Sequence, residues 1–140
     1  MASSPALFRP YFQNAAASIS YAPNGNYLVL SWSAVKASPE ELRAVYEQAL
    51  RAMQQQGIRK VLSNHGARPP LPAAVSTWVA EEWIPQAVRE TGYSHCAVVE
   101  NQSALGRLVA QSIGAQLPGK LLTFRYFPTQ AEAAAWLGAR

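Results

Sequence analysis

Short, nearly continuous apolar runs alternate along this chain with longer stretches in which apolar positions recur every three or four residues. The first pattern predicts strands buried on both faces and the second amphipathic helices, so the alternation predicts an α/β domain. Tyr27–Trp32, residues 60–63, Tyr93–Val99 and Leu121–Phe127 are the apolar runs, with Ser18–Tyr21 as a shorter first strand. Between the first two strands, Pro23-Asn24-Gly25-Asn26 has tight-turn chemistry, because Asn-Gly tolerates the positive backbone angle such a turn needs.

The first helix has the clearest start. Ser38-Pro39-Glu40-Glu41 supplies a hydroxyl cap, a proline at the first helical position and a glutamate placed for a capping box. Leu42, Val45, Tyr46, Ala49, Leu50 and Met53 form its apolar stripe, and Gly57 ends it. A helix between two strands favours a right-handed crossover, and hence parallel pairing of Tyr27–Trp32 with 60–63. A second helix is expected from about Pro72 to Gly92, with Val75, Trp78, Val79 and Trp83 inward. Pro85 should interrupt it, since its ring opposes the carbonyl of Glu81. Leu105, Leu108, Val109 and Ile113 mark a third helix that stops near Gly114 or Pro118. Thr129-Gln130-Ala131-Glu132 is a second capping box, opening a last helix that buries Ala133, Trp136 and Leu137. The predicted order is β-β-α-β-α-β-α-β-α, an open mixed sheet of about five strands with an initial hairpin and about four helices. Residues 1–17 are expected to form an irregular arm anchored by Phe8, Tyr11 and Phe12, and 18–140 one domain.

Composition narrows the function classes. The chain has 140 residues, 49% of them apolar, enough for a core of its own. No stretch approaches the roughly 18 consecutive apolar residues of a membrane span, and Met1–Leu7 has neither a basic head nor a long apolar segment. Cys96 is the single cysteine, so an intramolecular disulfide is excluded and a cytoplasmic location expected. Twelve basic residues face eight glutamates, with no aspartate, for a net charge of +4. Apart from Arg59-Lys60 the basic residues stand singly, unlike the clustered phosphate contacts of a nucleic-acid surface, so no nucleic-acid partner is expected.

Candidate chemistry gathers in Ser63-Asn64-His65-Gly66-Ala67-Arg68. This loop follows the carboxyl end of a central strand, where open α/β sheets place their ligands. The plain alternative is that Asn64 and Gly66 make a turn, His65 packs lightly and Arg68 is solvated. An enzyme would use Ser63, His65 and Arg68; Ser63 and His65 share a face if the strand continues. With no aspartate, a catalytic orienter would have to be a distant Glu81, Glu82 or Glu100, and there is no Gly-x-Ser-x-Gly elbow. His95 and Cys96 are neighbours in a strand, so their side chains point to opposite faces, and Cys96 is expected to be buried. The two histidines and one cysteine lack metal-ligand spacing, and Gly57, Gly66 and Gly106 form no phosphate cradle. Neither a metal nor a cofactor is therefore expected. Trp78 and Trp83 on the second helix either pack the core or line an apolar groove beside the Pro85 interruption.

Several pieces carry a resemblance: Tyr27-Leu28-Val29-Leu30-Ser31-Trp32, the Ser38-Pro39-Glu40-Glu41-Leu42 helix start, and Trp78-Val79-Ala80-Glu81-Glu82-Trp83-Ile84-Pro85. Phe127 followed by Thr129-x-x-Glu132-Ala133-x-x-Trp136-Leu137 completes the set. From about Ile19 to Leu137 the chain resembles the uncharacterised bacterial SpoIIAA-like proteins of the anti-sigma-factor-antagonist (STAS) superfamily. The resemblance implies a STAS-type fold and a regulatory domain that docks onto a partner protein without catalysing a reaction. In sporulation antagonists a serine after the third strand is phosphorylated to release the partner, which makes Ser63 the phosphorylation candidate. The usual Asp-Ser-Thr or Asp-Ser-Ser context is absent, and prolines follow. Other members hold apolar molecules or lipids. The expected function is thus a non-catalytic interaction domain acting through 63–68. A small apolar ligand or lipid in a groove near 78–85 is the first alternative and an enzyme the second. The binding candidates are Ser63, Asn64, His65, Arg68, Trp78 and Trp83. The expected partner is a protein of unknown identity, with a small apolar ligand or a homodimer as alternatives.

Overall fold

Ser38 opens α1 (Pro39–Gln56) with a complete capping box: its hydroxyl accepts from Glu41 N at 3.1 Å, and Glu41 Oε1 accepts from Ser38 N at 2.9 Å. Gly57 closes the helix in the left-handed region, at φ 65°, where a Cβ would be strained. The computed structural model describes residues 8–24, 26–117 and 121–140, so Gly25 of the expected turn and Pro118 lie outside the described residues.

The described strands are β1 (Arg9–Gln13), β2 (Ala17–Tyr21), β3 (Leu28–Trp32), β4 (Lys60–Asn64), β5 (His95–Val99) and β6 (Thr123–Phe127). They form one mixed sheet in the order β1-β2-β3-β4-β5-β6. The pairs β1–β2 and β2–β3 are antiparallel, and β3 to β6 are parallel. The hairpin of β2 with β3 and the parallel pairing of β3 with β4 agree with the sequence expectation. The strand count does not. Six strands replace the expected five, because Arg9–Gln13 in the supposedly irregular arm pairs with β2. Pro10 is tolerated there because an edge strand need not donate on both sides, and a bulge between Pro10 and Phe12 absorbs the misfit. Tyr11 secures the edge strand, with its ring 5.5 Å from that of Tyr21 and its hydroxyl donating to Gln48 Oε1 of α1 at 3.3 Å. The initial hairpin is therefore the second half of a three-stranded meander.

Side-chain alternation divides the sheet into two layers. Leu28, Leu30, Trp32, Val61, Cys96 and Val98 join the larger core. Over that face lie α1, the helical rod from α2 (Ala73–Trp78) to α3 (Ile84–Thr91), and α4 (Ala104–Gln116). Parallel strands in sequential order, joined by crossovers of one hand, place all their connecting helices on one face. Val29, Leu62, Ala97, Val99 and Phe127 point the other way and are covered by Ala133 and Leu137 of α5 (Gln130–Gly138).

Two helices place the site. Between α2 and α3 the chain makes a π turn over Val79–Trp83, in which Ile84 N donates to Val79 O. This is the interruption expected at Pro85: one wide turn accommodates a residue that has no N–H to donate. In α4 the expected inward stripe is corrected, since Leu105 and Leu108 are 60% and 62% exposed. Ile113 is buried as expected, Val109 packs against the core, and Gly106 and Ala110 take the inward positions in place of the two leucines. A Cβ on Gly106 would meet the Asn101 carboxamide, with Oδ1 at 2.7 Å. Close approach thus turns the helix toward its smallest residues rather than its most apolar ones. No helix among the described residues is long and apolar enough to cross a membrane.

Candidate functional site

The loop after β4 is held by hydrogen bonds to β5 and to the loop that follows it. His65 N donates to Val99 O at 3.1 Å, continuing the pairing with β5 for one residue beyond the strand. Gly66 then takes a positive φ of 44° and Arg68 N closes the turn on His65 O at 2.8 Å. From the loop after β5, Gln102 N donates to Gly66 O at 2.8 Å and Asn101 Nδ2 to Arg68 O at 2.7 Å. Ser103 caps α4 through Gly106 N, and its own N–H donates to Asn101 Oδ1, so the carboxamide is fixed on both sides.

Strand periodicity splits the candidate residues. Ser63 and His65 turn to the helix-covered face, as expected, while Asn64 points to the other face and donates to Gln130 Oε1 at 3.0 Å. Ser63 is buried and its Oγ accepts from Trp32 Nε1 at 2.9 Å. A kinase would reach that hydroxyl only by opening the layer above it. His65 is buried, and its Nδ1 has no hydrogen-bond partner. Burial first, and then the charge of Arg68, hold its pKa well below 6.5, so the imidazole is neutral at neutral pH.

Arg68 is the unusual member. It is 6% exposed rather than solvated, and its Nε and Nη1 lack partners. The guanidinium lies over the Trp32 ring, 4.6 Å from the centroid, and the Tyr46 hydroxyl is the polar group that acts on it. Burial pulls its pKa down and the Tyr46 hydroxyl pushes it back up; no carboxylate among the described residues acts on it. Burying an unpaired charge costs several kcal/mol, whereas one cation–π contact returns about 0.5–2 kcal/mol. Among the described residues, Arg68 has no counter-charge.

Ser63, His65 and Arg68 line a common cavity of about 50 Å³ between the sheet and the helices, together with Tyr46, Tyr93 and Cys96. The rest of its wall is apolar, from Leu30 and Val61 of the sheet to Ile113 of α4. Trp83 is part of that wall and donates through Nε1 to Tyr46 O at 2.7 Å. Trp78 is not. It packs edge-on to Tyr46 at 6.0 Å and lies beneath Arg43 on the outside. The Cys96 thiol is pushed up to about 12, first by burial, and so stays protonated. No three His, Cys, Asp or Glu side chains among the described residues come together to hold a metal ion.

Trp32, Tyr46, Tyr93 and Asn101 belong to the site without having been singled out for it. Trp32 and Tyr46 carried an apolar-pattern signal, which marks core and site alike. Asn101 carried a faint local one, an amide followed two residues later by a serine cap. No protein family, curated protein or solved structure matches the chain.

Proposed function

We propose that this protein binds a small molecule, without transforming it, in the cavity at the carboxyl end of β4. The observation that carries this reading is the inward convergence of Ser63, His65 and Arg68 on one cavity walled otherwise by apolar side chains. A few convergent polar groups in an apolar enclosure are the usual makings of a ligand site. The volume favours a compact ligand over a lipid, because drug-sized sites run from roughly 300 Å³ upward. A non-catalytic role is supported by the chemistry of the two nucleophile candidates. Ser63 Oγ is engaged by Trp32 rather than by a base, and the Cys96 thiol is protonated.

A thermal-shift and NMR screen with small polar and apolar compounds tests the reading. Some compounds should raise Tm, and Ala110→Leu, which projects into the cavity from α4, should abolish their effect while the circular dichroism spectrum is retained. A screen without binders, or binders indifferent to Ala110→Leu, would refute it.

A second reading, a docking domain, is supported by the exposed leucines of α4 rather than by loop 63–68. Leu108 borders a surface hollow with Leu71 and Val109, and Leu105 is exposed on the same helix. A homodimer through this face should dissociate on Leu105→Ser with Leu108→Ser in native mass spectrometry; a monomeric parent would remove the homodimer reading. The SpoIIAA-like, STAS-type assignment is likewise a proposal, and rests on the sequence pieces from Tyr27 to Leu137.

A further inference from the structure

We infer that the ligand of this cavity is a small organic carboxylate, with Arg68 as its anchor and His65 as its second polar contact. The inference rests on the binding reading above and adds the ligand's charge and size. Its basis is an imbalance built into the site. Arg68 is buried, with Nε and Nη1 unpartnered, and among the described residues it meets only the Trp32 face and the Tyr46 hydroxyl. Nearby, His65 Nδ1 is also buried without a partner. Both side chains line the same cavity, so one group reaching both would satisfy them together.

The group that fits is an anion whose oxygens accept N–H bonds. A carboxylate neutralises the guanidinium and accepts charge-assisted hydrogen bonds from it, roughly twice as strong as neutral ones. The neutral imidazole donates from Nδ1 in one of its two tautomers, and in that form it can serve a carboxylate oxygen. Val61, Val79, Ile84, Val98 and Ile113 make up much of the remaining wall. It can bury only hydrocarbon, and the cavity of about 50 Å³ limits that hydrocarbon to a short chain. A phosphate dianion fits less well. One cation cannot balance its charge, and several of its oxygens would face the apolar wall unsatisfied.

Isothermal titration of the full chain with propionate, propionamide and inorganic phosphate tests the assignment. Propionate should bind, propionamide, its uncharged isostere, should bind at least about tenfold more weakly, and Arg68→Gln should lower propionate affinity to the same degree. A second measurement needs no variant: the Arg68 Nε–H resonance of the parent protein should move with propionate and stay in place with propionamide. Equal binding of propionamide and propionate, or propionate binding that survives Arg68→Gln, would overturn the carboxylate while leaving the cavity as a ligand site. Binding of phosphate but not propionate would overturn it too. If neither these probes nor the compound screen binds, the inference and the ligand reading fail together.

Discussion

Asn101 Nδ2 donates to the carbonyl oxygen of Arg68 at 2.7 Å, tying the loop after β5 to the loop after β4. The bond joins residues 33 apart in sequence and is buried. It holds the backbone of the one buried arginine of the site, so the position of Arg68 depends on how closely α4 approaches Asn101.

That dependence makes Gly106 a stability determinant. Gly106→Ala places a Cβ against the Asn101 carboxamide, and overpacking of this kind costs about 1–3 kcal/mol. Chemical denaturation should show the loss, and amide exchange at Gln102 and Arg68 should quicken because their bonds depend on the displaced loop. Gly138→Ala is the control. Nothing lies within 4 Å of its Cβ position at the end of α5, so it should be neutral or slightly stabilising.

Trp32 Nε1 and Ser63 Oγ form a buried pair across the β3–β4 junction. Ser63→Ala strands the indole N–H and should cost about 1–3 kcal/mol. Trp32→Phe removes the same bond, so the double variant should be less destabilised than the two losses summed. A double-mutant cycle with a coupling energy near zero would show that the bond contributes nothing.

Cys96 should be inert in the folded chain. Its thiol is pushed up to about 12 and is buried, whereas an exposed cysteine titrates near 8.5. A disulfide reagent at pH 8 should react over the timescale of unfolding, and at once in denaturant. The folded pKa exceeds the unfolded one, so this group's stabilisation is complete below the unfolded pKa and is lost as pH rises from there toward about 12.

His65 sets the acid side. Its pKa is depressed in the fold by burial and by Arg68, so the unfolded chain takes up a proton that the folded one refuses. This contribution to stability is present above about 6.5 and is lost as pH falls below it. Replacing His65 with Gln should flatten the decline in Tm between neutral and mildly acid pH. His95 is also lowered, first by burial and then by Arg140, Lys60 and Arg59, but it is only half-buried. His95→Gln should therefore alter the slope less.

Much of this architecture was written locally. The Ser38 box, the glycine stops at Gly57 and Gly92, and the interruption before Pro85 each depend on a few consecutive residues, and all three appear in the structure. The position of loop 63–68 at the end of a parallel strand was legible, because it is a consequence of connectivity. Its interior was not. Arg68 reads as a solvated cation in any window of sequence, and becomes a buried one only when Trp32 and Tyr46, far away in the chain, close around it. Asn64 and Ser63 read as equal candidates until the sheet has two covered faces to send them to.

The sequence by itself determined where helices begin and end, that the five apolar runs are strands, and, through the crossover between them, that β3 and β4 lie parallel. Capping bonds, turn angles and side-chain periods act within about four residues. The tertiary structure alone decided that Arg9–Gln13 is a strand, that α4 presents Gly106 and Ala110 rather than Leu105 and Leu108, and that Arg68 is enclosed with no counter-charge among the described residues. Edge pairing, close helix approach and desolvation arise from contacts between distant segments, and those contacts exist only once the chain has folded.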